Sequence, residues 1–155
     1  MSDKILVTGA SGFIGGRICN SLLEKGHDIL PVDIYTDNDC NFPVSKCDIT
    51  NFNDIKSLVA EATHVVHLAG IVDVKSSMEN PRIVWGVNAQ GTANLLEASR
   101  VSGIKKFVYA STNSVYGQYP YIEGGITEDY PINPVNPYGA SKASGELLIE
   151  SYRKS

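Results

Sequence analysis

The stretch Val7–Gly16, VTGASGFIGG, constrains the fold more than any other part of the chain. It follows an apolar run and precedes a helical pattern, so it predicts a strand, a glycine turn and a helix. Gly9, Gly12 and Gly15 allow a tight turn and a close approach of the backbone to a ligand. The first N–H groups of the helix then face an anion such as a pyrophosphate. Because glycine turns also serve as plain connectors, the rest of the chain has to decide between these interpretations.

Length and composition suit one globular domain. The 155 residues are 43% hydrophobic and 19% charged, with a net charge of −4, and the scattered basic residues argue against a nucleic-acid or membrane partner. No apolar run approaches the roughly 20 residues that span a bilayer, and the first residues lack a secretory signal pattern. Cys19, Cys40 and Cys47 show no CxxC spacing. We therefore expect a cytoplasmic protein without a metal site, its cysteines acting as small apolar fillers.

Five strands alternate with helical segments along the chain. The strands are predicted at 4–8, 27–33, 44–47, 65–70 and 106–110, and helices at 13–25, 53–60, 81–102 and from Pro137 onward. This alternation predicts an α/β fold, a doubly wound parallel sheet of the Rossmann type with flanking helices. Pro31 removes a hydrogen-bond donor from the second strand and argues against an undisturbed central position. Ligands of such sheets bind at the carboxyl ends of the strands.

The helix predicted from Pro81 to about Ser102 carries an apolar face. We assign Ile83, Val87, Leu95 and Leu96 to the buried side and Trp85 to the core, with Asn88 and Gln90 exposed by default. His67 lies in an apolar strand, and a hydrogen-bonded core histidine is the favoured interpretation over a catalytic one. The segment 117–136 has no helical or strand period. Its aromatic residues, Tyr119, Tyr121 and Tyr130, indicate an ordered binding loop rather than a linker.

Tyr138 and Lys142 lie four residues apart at the start of the last predicted helix, hence on one helical face. For a phenol to act as a base near neutrality, its pKa must be lowered by roughly three units, which corresponds to about 4 kcal/mol. An ammonium about 5 Å away supplies about 3 kcal/mol of this at an effective dielectric near 20. A Tyr-x-x-x-Lys pair is common by chance and is most often a surface pair. Behind a phosphate-binding glycine turn and a strand that ends in hydroxyl residues, it indicates a proton-transfer pair.

Together these segments resemble the extended short-chain dehydrogenases/reductases of the NAD-dependent epimerase/dehydratase family, which act on nucleotide sugars. The matching segments are Thr8–Gly15, Asp33, Asp48–Ile49, His67–Gly70, Asn88–Thr92, Ser111–Gly117 and Pro137–Lys142. The resemblance covers nearly the whole chain. It implies a Rossmann fold with NAD as cofactor.

The resemblance also implies a role for each matching residue. Gly9, Gly12, Phe13, Ile14 and Gly15 would hold the pyrophosphate, Asp33 the adenosine ribose, and Asp48 with Ile49 the adenine. Leu68, Ala69 and Gly70 would line the dinucleotide, and Lys142 would bond the nicotinamide ribose. Tyr138 would exchange the proton, and Thr112 would position the sugar oxygen.

Among the activities of the family, 4-epimerisation of a UDP-sugar is our leading interpretation. A 4,6-dehydratase needs an acid and a base after the threonine, where this chain has Asn113 and Ser114. The family continues for roughly another 150 residues, so we expect residues 1–155 to form one NAD-binding domain, truncated before the substrate lobe. A homodimer or a partner chain could cover the missing side. An NAD-binding module or redox sensor without turnover, or a dehydratase or reductase of the same family, remains the alternative.

Overall fold

The computed structural model of the chain describes residues 3–36, 40–119 and 123–154. Its strands are Lys4–Thr8 (β1), Asp28–Asp33 (β2), Ser45–Lys46 (β3), His64–His67 (β4) and Lys106–Tyr109 (β5). Its α-helices are Phe13–Glu24 (α1), Phe52–Val59 (α2), Val74–Glu79 (α3), Pro81–Trp85 (α4), Gly91–Ser102 (α5) and Pro137–Lys154 (α6). A π turn at Gly86–Gln90 joins α4 to α5, and a 3₁₀ turn occupies Asn113–Val115. Of these elements, the short helix α3 and the 3₁₀ turn have no counterpart in the sequence prediction.

The five strands form one parallel sheet in the order β3-β2-β1-β4-β5. The chain moves outward from β1 to β3, then returns to the other side of β1 with β4 and β5. This arrangement confirms the predicted doubly wound Rossmann sheet. The reversal of strand order between β1 and β4 creates the crevice in which such folds bind ligands.

Pro31 is compatible with an inner strand because of its register. The N–H of Ala10 donates to the carbonyl of Val32 at 3.2 Å, so the backbone of Val32 faces β1. Successive residues of a strand alternate in direction, which turns the nitrogen of Pro31 toward β3. There β3 pairs only with Val32 and Asp33, so no ladder donor is required from Pro31.

The two faces of β1 belong to two different core clusters. Leu6 packs with Ile55 of α2 and Leu95 of α5, whereas Val7 packs with Cys19 of α1. Each of these five side chains is at most 1% exposed. Cys19 and Cys47 are buried in these clusters and Cys40 is half-buried, in agreement with their predicted role as apolar fillers. Burial raises the pKa of both buried thiols to about 11.

The helical run from Pro81 to Ser102 has the predicted bounds, but three residues of its first half were assigned to the wrong side. Ile83 and Trp85 are 60% and 47% exposed rather than buried, and Asn88 is 2% exposed rather than in solvent. The buried stripe passes through Val84, Asn88 and Leu95, which are spaced as neighbours on one helical face. A prediction that relies on apolar residues alone leaves out Asn88, the polar member of this stripe. It therefore assigns the apolar Ile83 to the buried face by mistake. Gln90 is exposed as predicted.

The segment after β5 has no strand or α-helix within 117–119 and 123–136, as predicted. Tyr119 packs edge-on against Tyr130 with ring centroids 4.6 Å apart, and its hydroxyl donates to the carbonyl of Pro131. Tyr121 lies outside the described residues. None of the helices within the described ranges is long and apolar enough to cross a membrane.

Candidate functional site

One large cavity, of about 880 Å³, opens at the carboxyl ends of the strands. All twelve residues predicted for cofactor binding line it, namely Gly9, Gly12, Phe13, Ile14, Gly15, Asp33, Asp48, Ile49, Leu68, Ala69, Gly70 and Lys142. Tyr138 lines it as well. The structure therefore brings together residues that are more than 130 positions apart in the sequence.

The glycine turn between β1 and α1 forms one end of the cavity. Gly9 has a φ of +72°, a conformation that L side chains rarely adopt. A Cβ on Gly15 would lie 2.8 Å from the carbonyl carbon of Gly9, so only glycine lets α1 approach the turn this closely. Gly12 caps α1 without a side-chain hydrogen bond. The positive end of the helix dipole is thereby left open to a ligand.

Two carboxylates follow β2 and β3 along the same rim. Asp33 accepts the backbone N–H of Ser11 at 3.0 Å on one oxygen and that of Tyr35 at 3.1 Å on the other. Asp48 accepts both the backbone N–H and the hydroxyl of Thr50, at 2.9 and 2.8 Å, on a single oxygen. Both carboxylates are held in place by the backbone around them, with lone pairs left for further donors.

The Tyr138–Lys142 pair enters the cavity from the first turns of α6. Asn136 caps this helix by accepting the N–H of Gly139 at 2.8 Å. Tyr138 and Lys142 are 8% and 6% exposed, and the ammonium of Lys142 lies 4.1 Å from the ring centroid of Tyr109. Burial lowers the pKa of Lys142 to about 8, against the opposing charge of Glu146. Burial therefore makes this lysine a weaker base than a lysine in water, although a pKa of about 8 still leaves it mostly protonated at pH 7.

Thr112 lies beside the cavity rather than in its described lining. Its hydroxyl accepts the N–H of Ser114 at 3.2 Å and caps the 3₁₀ turn. The preceding residue, Ser111, does line the cavity, and its hydroxyl donates to a carboxylate oxygen of Glu146 on α6. The cavity does not include Thr112, so the sugar-positioning role that the resemblance implies for it stays a prediction.

A buried polar network beneath the cavity was not predicted as a unit. Thr92 donates its hydroxyl proton to the carbonyl of Asn88 at 2.6 Å, so it must accept from Nε2 of His67 at 3.0 Å. Nδ1 of His67 then accepts from the hydroxyl of Thr8 at 2.8 Å. The oxygen of Thr8 accepts the next two N–H groups after His67, both at 3.2 Å. This arrangement fixes a neutral His67 with its proton on Nε2.

The neutral state of His67 agrees with its environment. The side chain is 1% exposed, and burial, with a smaller contribution from the charge of Lys142, lowers its pKa to about 3. The interpretation of His67 as a satisfied core histidine is confirmed. Its bonds tie the ends of β1 and β4 to α5.

Asn88 is a buried polar position at this site that sequence reasoning assigned to solvent. Its amide oxygen accepts the N–H of Ile71 at 2.8 Å, and its amide nitrogen donates to the carbonyl of Ile71 at 2.9 Å and to the hydroxyl of Ser141 at 3.0 Å. Ser141 in turn donates to the carbonyl of Tyr138. Asn88 therefore joins the loop after β4 to the helix that carries Tyr138. Its spacing of four from Val84 was the available signal.

A parallel sheet in this order, with a glycine turn and a Tyr-x-x-x-Lys helix along its carboxyl edge, defines a dinucleotide-binding Rossmann fold. Comparison with known proteins places the chain more narrowly. The NAD dependent epimerase/dehydratase family matches residues 5–155, and the chain belongs to that family.

The similar proteins include both epimerases and a dehydratase. The chain is 37% identical over 157 residues to a putative UDP-glucose 4-epimerase of Methanocaldococcus jannaschii, covering 97% of this chain and 51% of that protein. It is 37% identical over 167 residues to a dTDP-glucose 4,6-dehydratase of Streptomyces antibioticus, covering 98% and 49%. The crystal structure of Thermus thermophilus UDP-glucose 4-epimerase in complex with NAD matches at a TM-score of 0.89 and 36% identity, covering 97% and 51%. The chain spans about half the length of these relatives.

Proposed function

We propose that this chain is the cofactor-binding and catalytic-base part of an NAD-dependent nucleotide-sugar epimerase of the UDP-sugar 4-epimerase type. One observation carries the proposal: a single cavity joins the glycine turn, Asp33 and the Tyr138–Lys142 pair. The match to the Thermus thermophilus epimerase in complex with NAD supports the choice of cofactor.

The cavity fits a dinucleotide in its chemistry. The uncapped start of α1 offers N–H groups to a pyrophosphate, where the missing Cβ of Gly15 leaves room for the backbone. Asp33 offers carboxylate oxygens to ribose hydroxyls, and its charge would repel a 2′-phosphate. We therefore propose NAD rather than NADP, with Asp48 and Ile49 at the adenine. Leu68, Ala69 and Gly70 then form the floor beneath the dinucleotide.

Tyr138 and Lys142 supply the proton chemistry in this proposal. The phenol of Tyr138 accepts the proton of a sugar hydroxyl and later returns it. Lys142 lines the same cavity as Tyr138, and its ammonium would stabilise the ionised form of the phenol and bind the nicotinamide ribose. When bound, NAD supplies the acceptor for the hydride that leaves the same sugar carbon. If the hydride were given back to the other face of the keto-sugar while Tyr138 returned its proton to the oxygen, the product would be the 4-epimer.

Epimerisation is favoured over dehydration by the residues that follow Thr112. Loss of water from a keto-sugar needs an acid and a base, whereas Asn113 and Ser114 carry no ionisable group. The 37% identity to a 4,6-dehydratase shows that overall similarity does not separate the two activities. An NAD-binding module without turnover is the second candidate, because the chain spans about half the length of its relatives.

A chimera tests the proposal. The chain is joined to the C-terminal half of the Thermus thermophilus epimerase and supplied with NAD⁺ and UDP-glucose, and the products are separated by chromatography. We expect the 4-epimer, no 4-keto-6-deoxy sugar, and a rate reduced by about 10²–10⁴ in Tyr138→Phe with NAD affinity nearly unchanged. A phenylalanine variant that keeps more than about a tenth of the rate would show that another group is the base.

A further inference from the structure

The strand next to the catalytic helix carries an aromatic ring that none of the proposed chemistry uses. Tyr109 is the last residue of β5, half-buried between the sheet and α6. The ammonium of Lys142 lies over its ring at 4.1 Å from the centroid. Its hydroxyl points back to α6, 3.4 Å from the carbonyl of Lys142. The ring therefore contacts both the charged end and the backbone of the same residue.

The helix is built to admit this ring. Gly145 lies one turn after Lys142, and a Cβ at this position would stand 2.7 Å from Cζ of Tyr109. Atoms cannot approach that closely, so any larger residue would displace the ring or the helix. The glycine thus fixes the distance between β5 and α6 at the level of Lys142.

Apart from this ring, the Lys142 ammonium has no hydrogen-bond or ion-pair partner within residues 3–36, 40–119 and 123–154, although the side chain is only 6% exposed. The charge of Glu146 acts on it only from a greater distance. The negative face of an aromatic ring attracts a cation more strongly when water is excluded. We propose that Tyr109 is a positioning residue, whose ring face holds the Lys142 ammonium at the cavity wall beside Tyr138.

The groups around the ammonium leave this role to the ring. His67 on β4 stacks against Tyr109 with centroids 5.6 Å apart, and burial keeps it neutral by lowering its pKa to about 3. Burial also raises the pKa of Tyr109, which stays a neutral phenol. On α6, Tyr138 faces the same cavity, and Glu146 is the carboxylate whose charge raises the pKa of Lys142. The inference rests on the proposed function, since the lysine matters only if the pair transfers protons.

The test is the NMR titration of lysine side chains labelled with ¹³C at Cε in the 155-residue chain. In the wild type, the ring current of Tyr109 displaces the Cε protons of Lys142 upfield of those of every other lysine. Tyr109→Leu lowers the titration midpoint of Lys142 by about one pH unit, a tenfold weaker proton affinity. Tyr109→Phe keeps the ring and leaves the midpoint nearly unchanged.

Three results would overturn the inference: no upfield displacement in the wild type, an unchanged or raised midpoint in Tyr109→Leu, or an equal fall in Tyr109→Phe. If the leucine variant does not fold, the presence or absence of the upfield displacement in the wild-type spectrum is sufficient to decide. Titration of the same sample with NAD⁺ separates the two proposals. An upfield Lys142 without NAD binding refutes only the proposed function, whereas NAD binding without that signal refutes only the role of Tyr109.

Discussion

Asp33 is the residue that we expect to select the cofactor, because two backbone N–H groups hold its carboxylate at the end of β2. Replacement by serine removes the charge that would repel a 2′-phosphate. It also removes the acceptor for both N–H groups, so affinity for either cofactor falls and the ratio is the diagnostic quantity. We expect Asp33→Ser to narrow the preference for NAD⁺ over NADP⁺ by about tenfold, as measured by calorimetric titration of both.

Asp48→Ser serves as the matched control for this prediction, since Asp48 is a carboxylate on the same rim that is assigned to the adenine. It should weaken both cofactors alike. Tighter binding of NADP⁺ than of NAD⁺ by the wild type would show that Asp33 does not face the ribose.

The lowered pKa of Lys142 predicts how the free energy of unfolding depends on pH. The folded chain releases the lysine proton near pH 8, whereas the unfolded chain keeps it to about 10.5. Between these values the unfolded state binds more protons, so the stability of the wild type rises with pH by about 1.4 kcal/mol per unit from this group. Lys142→Met carries no such charge. We therefore expect Lys142→Met to have a higher free energy of unfolding than the wild type. This difference should be largest below pH 8 and should shrink above it.

Urea unfolding of both proteins at pH 7 and pH 9.5 checks this expectation. Taking the difference between them cancels the titration of the buried cysteines, whose pKa values are raised to about 11. Lys56→Met, at an exposed position of α2, gives the baseline. A gap between wild type and Lys142→Met that is the same at both pH values would mean that the lysine is hydrated in the folded chain.

At the scale of elements, the packing of α1 on β1 depends on one glycine of an adjacent pair. A Cβ on Gly15 would collide with the backbone of Gly9, which cannot move aside, but a Cβ on Gly16 would be 3.7 Å from its nearest neighbour outside the helix. We expect Gly15→Ala to lower the free energy of unfolding by about 2 kcal/mol or more. Gly16→Ala should raise it by about 0.5–1 kcal/mol through helix propensity. Urea denaturation measures the free energy of unfolding of both variants. Equal changes in the two variants, or a larger loss in Gly16→Ala than in Gly15→Ala, would contradict the described turn.

The elements themselves were largely predictable, because local patterns determine them. The alternation of strands and helices, the end of α1 at the left-handed Gly26 and the capping of α6 by Asn136 each depend on residues close in sequence. Asn88 and Ile83 show the limit of prediction from local sequence patterns. The burial of Asn88 depends on Ser141, 53 residues away, and no local pattern indicates that partner. Likewise, the contact between Tyr109 and Lys142 exists only once β5 and α6 are side by side.

At the scale of the whole molecule, the described sheet supplies the cavity that we propose for a dinucleotide but few residues for a sugar nucleotide. The segment 117–136 is the main candidate for that contact. Orientation of the sugar carbon against the nicotinamide is worth about 7–11 kcal/mol in reactions of this kind. We therefore expect the 155-residue chain, incubated with NAD⁺ and UDP-glucose or its N-acetyl analogue, to form no epimer at a useful rate.

The outer edge of β5 also has no strand beside it in the described sheet, and Val108 on this strand is 44% exposed. Such an edge favours aggregation or pairing with another chain. Sedimentation of the chain during the same assay separates the outcomes. Robust turnover by a monomer would show that the described cavity and the 117–136 segment suffice to hold the sugar nucleotide. Turnover confined to an oligomer would mean that a second chain contributes to the substrate site.

Binding of NAD⁺ to the purified chain is the most direct test of the central claim that the cavity is a dinucleotide site. Isothermal titration calorimetry should show saturable binding of one NAD⁺ per chain. This binding should persist in Gly16→Ala and be lost in Gly15→Ala, because only the second substitution disturbs the turn that faces the pyrophosphate. A folded wild-type chain that binds no NAD⁺, or that binds it equally well with alanine at position 15, would contradict the claim.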